Sequence, residues 1–137
     1  MTSTVVYNGD LRTTCTHIQS GNSFETDAPV DNNGKGERIS PTDTLATSLA
    51  ACMITVMGIK ARAMGFDLND VKIDVLKIMK SEPRRVGGIE LTFHIPEALR
   101  NVEEKSKIIL KNTGNTCPVR QSIHPDIDVK IDWGHWA

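Results

Sequence analysis

Two cysteines stand where their neighbours give them chemistry. Cys52 lies inside a long apolar, helix-periodic run, and Cys117 is followed directly by Pro118. A thiol is a weak nucleophile and its thiolate a strong one, so the surroundings of each sulfur decide its use. Proline suits the first position of a helix, which makes Cys117 a candidate N-cap. Free peptide N–H groups and the helix dipole there favour a thiolate, so local electrostatics make Cys117 the lower-pKa thiol of the two. Each residue also has a plainer reading. Cys52 fits as a small buried hydrophobe on a helix stripe, and Cys117 fits as a turn residue before proline. Cys15, in an alternating N-terminal segment, has no partner motif and reads as a small buried residue.

The elements that must position these sulfurs can be read from periodicity. Val5, Tyr7, Thr13, Cys15, His17 and Phe24 alternate loosely, with breaks at Asn8-Gly9-Asp10 and Ser20-Gly21-Asn22, giving three short antiparallel strands. Residues 31–36 form a polar, glycine-bearing loop. Ser40 suits an N-cap, Pro41 the first helical position, and Asp43 the return half of a capping box. The helix runs to about Met64 and stops at Gly65. Its apolar stripe is Leu45, Leu49, Cys52, Val56, Ile59 and Ala63, widened by Ala46, Ala50, Ala51, Met53, Ile54 and Met57, and it is apolar nearly all round from Leu45 to Ile59, which predicts burial on most sides. A chain with only 4% aromatic residues is poorly equipped to wrap such a helix alone, so a partner subunit is expected. Alternation over 70–79 and 86–95, with a turn at 83–88, predicts a hairpin. A second, amphipathic helix is expected over 97–112, closed by Gly114, and a short helical turn over 117–122. Ile127, Val129 and Ile131 form a last strand. The order βββ-α-ββ-α-β is an α+β pattern in one domain spanning residues 1–137.

Composition removes several function classes. The 137 residues carry 16 Lys+Arg and 17 Asp+Glu, a net charge of -1, without the basic excess of a nucleic-acid module. No run of about 18 apolar residues is seen and no membrane span is expected. The first ten residues lack the basic and apolar regions of a secretory leader, which points to the cytoplasm. Three cysteines do not make a disulfide scaffold. His17, His94, His124 and His135 lack zinc-ligand spacing. Gly34-Lys35-Gly36 lacks the strand and helix context of a phosphate loop. No cofactor or metal is expected. Arg84 and Arg85 read as a solvated hairpin tip, and Trp133 and Trp136 as a cover for the core or a lining for a subunit interface.

The segment from Gly34 to Cys52, with Ser40-Pro41-Thr42-Asp43 opening the helix, resembles the helix opening of the OsmC/Ohr family. Cys117-Pro118-Val119-Arg120-Gln121-Ser122-Ile123-His124-Pro125 resembles that family's second cysteine motif. The element order fits over nearly the whole chain. The resemblance implies an OsmC-like fold with a long buried central helix, an intertwined homodimer, and a thiol peroxidase that reduces organic hydroperoxides. It implies that Cys52 attacks the peroxide to give a sulfenic acid and that Cys117 resolves it as a disulfide. An apolar helix face beside Cys52 would favour a hydrophobic peroxide over hydrogen peroxide. A dithiol, lipoyl-type or a small thiol, would then clear the disulfide. Members of the family place an activating Arg just after the first strand and a Glu two residues after the helix cap. The Arg position matches Arg12, with Arg38 as the alternative. The Glu position is Thr42 here, which leaves Asp43 either to serve in its place or only to cap the helix. Two other readings follow from the same residues: a non-catalytic member that binds a hydrophobic small molecule at the dimer interface, or a thiol redox sensor.

Overall fold

The computed structural model describes residues 1–137. Their backbone divides into two compact units, Met1–Leu45 and Ala46–Ala137.

In the first unit, β1 (Ser3–Gly9), β2 (Arg12–His17) and β3 (Ser23–Asp27) form an antiparallel meander in the order β1-β2-β3. The β1–β2 loop is Asp10-Leu11, with φ of 53° and 63°. Positive φ at both positions is the hairpin geometry that matches strand twist. The hydroxyl of Tyr7 accepts the Leu11 N–H at 3.2 Å, tying down a leucine in a conformation that side chains disfavour. The expected break at Asn8-Gly9-Asp10 therefore falls one residue later. A loop with a 3₁₀ turn at Val30–Asn32 leads to α1 (Pro41–Ala63). Ser40 Oγ accepts the Asp43 N–H at 3.0 Å and Asp43 Oδ2 accepts the Ser40 N–H at 3.0 Å, the reciprocal pair of a capping box.

In the second unit, α1 ends as its sequence requires. Gly65 has φ of +94°, and Phe66 N–H closes back on the carbonyl of Ala61 at 3.1 Å. Lys60 and Arg62 lie in the last turn, where positive charge complements the dipole. Strands β4 (Lys72–Lys80), β5 (Arg85–His94) and β6 (Asp128–Asp132) make a sheet in the order β4-β5-β6, antiparallel then parallel. Ile73 faces Phe93, and Val75, Leu91 and Ile131 share one row, so alternation puts the apolar set on one side. Central β5 is the most buried strand. The core joins Ile89, Leu91 and Phe93 to Leu49, Met53 and Met57 of α1, Leu110 of α2 (Glu104–Asn115) and Trp136. A five-residue helix, α3 (Pro118–Ser122), follows α2.

Four expectations change. The second helix does not begin at Glu97: residues Glu97–Leu99 form a 3₁₀ turn and the α-helix starts afresh at Glu104. At the interruption the Leu99 carbonyl accepts the Trp136 indole N–H at 2.9 Å and the Val102 N–H at 3.4 Å. In a continuous helix that carbonyl would receive the Glu103 N–H. The helix also runs through Gly114 to Asn115 rather than stopping at the glycine. The buried line of α1 is Ala46, Leu49, Ala50, Met53, Met57 and Ala61: of the central stripe only Leu49 is on it, and the residues expected to widen the stripe supply Ala46, Ala50, Met53 and Met57. Cys52 and Val56 are half-buried and Ile59 is 65% exposed. An almost uniformly apolar helix gives its own pattern little power to say which face turns inward. Finally, α1 is long and apolar enough to cross a membrane by length and composition, although Thr44, Thr47, Ser48 and Thr55 interrupt the run. From Ala46 onward it packs as the core helix of the second unit.

Candidate active site

Both cysteines of interest belong to the second unit. Cys52 is presented by α1, beside buried Met53, and is half-buried. Cys117 is the N-cap of α3 and only 1% exposed. The Cys52 side chain is close enough to Cys117 to raise the pKa of its thiol. Both thiols are free. Two residues 65 positions apart in sequence are thus brought to one place by the docking of helices on a shared core.

The local electrostatic reading of Cys117 is overturned. Its Sγ does accept the Arg120 N–H at 3.4 Å, as an N-cap should. Burial nevertheless pushes the thiol up, the Arg120 and Val119 N–H groups oppose this, and Cys52 pushes it further up. Burial disfavours the charged form of any acid, and a five-residue helix offers too little to outweigh it. Cys117 is a protonated, enclosed thiol, and Cys52 is the more accessible partner.

Arg12 and Asp43 belong to the first unit. Arg12 and Asp27 are direct cross-strand partners at the start of β2 and the end of β3. The guanidinium grips Asp27 through Nε to Oδ1 at 2.7 Å and Nη2 to Oδ2 at 2.8 Å, and reaches Glu37 at 3.4 Å. The Glu37 N–H donates to Asp27 Oδ2 at 3.1 Å. The hydrogen bond from Arg12 holds the Asp27 carboxyl below its ordinary range against the opposing effect of burial, and Arg12 is held still more firmly protonated in return. Arg38 instead donates to Glu25 at 3.2 Å. Asp43 makes the capping bonds described above, and Thr42 Oγ1 lies 3.3 Å from Ser40 Oγ. Cys15 lies on β2 opposite Val5 and Phe24.

Two residues of this arrangement escape the sequence reading. Asp27 is the carboxylate that orients Arg12, and its signal is an acid closing a strand whose meander partner opens with a base. Arg120 supplies the N–H to Cys117, and its signal is simply the third position after an N-cap.

Comparison with known proteins places this pair of cysteines in a family. The model of the OsmC-like protein family matches residues 34–132, a span that contains both Cys52 and Cys117. The chain belongs to the OsmC-like family. A crystal structure from Psychrobacter arcticus is 50% identical to it, covers 96% of this chain and 94% of its own, and superposes with a TM-score of 0.91. That protein carries a provisional description as an osmotic stress induced and detoxification response protein. More distant structures share the fold. The organic hydroperoxide resistance protein OsmC of Legionella pneumophila is 19% identical with a TM-score of 0.72, and 96% of each chain is covered. The organic hydroperoxide resistance protein OhrB of Bacillus subtilis is 17% identical with a TM-score of 0.65, covering 96% of this chain and 97% of its own. No curated protein matches the chain. The OsmC-like α+β fold expected from the motifs is the fold observed.

Proposed function

We propose that this OsmC-like protein is a cytoplasmic, homodimeric thiol peroxidase that reduces organic hydroperoxides. The observation that carries the reading is the pairing of an accessible Cys52 with an enclosed, protonated Cys117 in one chain. The Cys52 thiolate attacks the hydroxyl oxygen of ROOH. The O–O bond breaks, the alkoxide takes a proton and leaves as ROH, and the sulfur is left as Cys52–SOH. The sulfur of Cys117 then attacks the sulfenic sulfur. Its thiol proton and the departing hydroxide leave as water, and a Cys52–Cys117 disulfide remains. A dithiol reductant of the lipoyl class, or a small thiol, returns both sulfurs to thiols and is itself oxidised to a disulfide. Arg12 stabilises the Cys52 thiolate in this scheme, and Asp43 stands in for the family's Glu while it caps α1. The two units act together as one domain, 1–137. A second subunit accounts for the apolar residues this chain leaves exposed, among them Val5, Tyr7 and Phe24 of the first sheet and Ile59 of α1.

One observation favours a second reading. Arg12 is engaged by two carboxylates, Asp27 and Glu37, and the family's Glu position is Thr42. A member with a neutralised Arg would bind a hydrophobic small molecule at the dimer interface, or signal through the disulfide, without turning over.

A non-reducing peptide map after one equivalent of cumene hydroperoxide tests the peroxidase reading. The expected product is a Cys52–Cys117 link with Cys15 free, and a trappable sulfenic acid on Cys52 in Cys117→Ser. Slow oxidation of all three thiols without selectivity overturns it. Steady-state turnover with dihydrolipoamide separates the enzyme from the binder and the sensor.

A further inference from the structure

We propose that Gly114 is the positioning residue of the cysteine pair: its missing side chain lets α2 seat closely enough on α1 to hold Cys117 beside Cys52. The inference rests on reading the two cysteines as a redox couple.

Gly114 is buried in the last turn of α2, an unfavourable place for glycine on helix propensity alone. Its value there is space. A β-carbon at this position would stand 2.8 Å from Met57 Sδ, 3.2 Å from Met57 Cγ and 3.4 Å from Met53 Cε. A methionine tip can usually swing away, but Met53 and Met57 are both 0% exposed and packed among Leu49, Ile89, Leu91 and Leu110. Any added atom must therefore lift the end of α2 or disturb the core. The consequence reaches the sulfur directly. The Cys117 N–H donates to the Gly114 carbonyl at 3.2 Å, so a single hydrogen-bonded turn joins the seat of α2 to Cys117. Met53, on the other side of the contact, is the neighbour of Cys52 in sequence. The glycine and its methionines thus sit one step from each cysteine. Disulfide formation tolerates only a window of roughly 4.4–6.8 Å between Cα atoms, so a displacement of about an ångström at this seat is felt in the chemistry.

The test measures the Cys52–Cys117 equilibrium against glutathione redox buffers, read by peptide mass spectrometry, in the full-length protein. Gly114→Val is expected to weaken disulfide formation by about tenfold or more, and Gly114→Ala by less. The rate of sulfenic acid formation at Cys52, measured in a Cys117→Ser background, is expected to stay within about twofold of its parent. A merely structural role would move both steps together, or neither. Shrinking the neighbour should relieve the crowding: Gly114→Ala combined with Met57→Ala is expected to return to the equilibrium of Met57→Ala alone. If the single variants do not fold, Val and Ala at position 114 are compared in the Met57→Ala background, where the Val chain should form the disulfide less readily. An unchanged equilibrium in a folded Gly114→Val protein overturns the inference, as does an equal equilibrium for Val and Ala in the shrunken background. A wild-type chain that forms no Cys52–Cys117 bond at any glutathione ratio overturns it as well. A wild-type chain that forms the bond with glutathione but not with hydroperoxide sinks the peroxidase reading and leaves the role of Gly114 to be decided by the variants.

Discussion

The Sγ of Cys117 accepts the backbone N–H of Arg120 at 3.4 Å, and this bond, with the help of the Val119 N–H, does not offset the burial of the thiol. Cys117 therefore stays protonated at a pH where an open cysteine begins to ionise, about 8.5. In the folded, reduced protein, iodoacetamide is expected to alkylate Cys52 well before Cys117. After unfolding in urea the two should react at similar rates. Equal labelling of both in the native state would contradict the enclosed position of Cys117.

The same thiol makes stability depend on pH in a fixed direction. Its folded pKa lies above its unfolded value, so the folded state keeps a proton that the unfolded state gives up. The contribution is fully present below the unfolded pKa of about 8.5 and is lost as pH rises toward the folded pKa. Urea unfolding of the reduced protein between pH 7 and pH 10 is expected to show a falling midpoint, and Cys117→Ser to flatten that fall. A midpoint equally steep in Cys117→Ser would assign the effect to other groups.

What could be read in the sequence was what is encoded locally. Ser40-Pro41 and Asp43 mark the start of α1 and Gly65 its end, because caps are built from neighbours within a turn. The strand alternation around Ile73, Val75, Leu91 and Phe93 was equally plain. The features that escaped depend on distant partners. At the break before α2 the Leu99 carbonyl is bonded by Trp136, 37 residues away. The inward face of α1 is chosen by what docks on it, and its apolar residues point in every direction. Cys52 and Cys117 could be picked out as candidates, yet which of them is buried follows from packing alone. Asp27 was missed because its importance lies in the strand register that sets it opposite Arg12.

The capping box predicts a measurable loss at the head of α1. Ser40→Ala removes the oxygen that accepts the Asp43 N–H and should cost about 1 kcal/mol in urea unfolding. Asp43→Ala removes the return bond to the Ser40 N–H and should cost a similar amount. The two changes break one reciprocal motif, so the double variant should lose less than the sum of the singles. Full additivity would show that the two bonds act independently.

Asp27 makes a prediction of opposite pH sense. Its carboxyl is lowered in the folded state by the Arg12 bond, so its contribution is present above the unfolded pKa of about 3.9 and is lost as pH falls through the folded value. Asp27→Asn keeps the shape, removes the charge and leaves the 1%-exposed site with a mismatched partner for the Arg12 fork. It is expected to lower the unfolding midpoint at pH 7 and to reduce the loss of stability on acidification below pH 4. A variant as stable as the wild type at pH 7 would mean that Glu37 alone suffices to hold Arg12.

Trp136, next to the last residue of the second unit, is buried in its core and bonds back to Leu99. Its ring is buried and its N–H satisfies the Leu99 carbonyl at 2.9 Å, while the neighbouring Trp133 packs on Phe93 with ring centroids 4.6 Å apart and lies under Lys111 Nζ at 5.9 Å from its centroid. Trp136→Phe keeps most of the apolar volume and leaves that carbonyl only the longer bond from the Val102 N–H at 3.4 Å, a loss of about 1 kcal/mol. Trp136→Ala also opens a cavity under β5 and should cost about 3–5 kcal/mol. Urea unfolding followed by far-ultraviolet circular dichroism measures both without relying on the fluorescence of the substituted residue. The difference between the two variants isolates packing from the hydrogen bond. If Phe proves as costly as Ala, the Leu99 carbonyl is the dominant element, and the interruption before α2 is held open by that bond rather than by the ring.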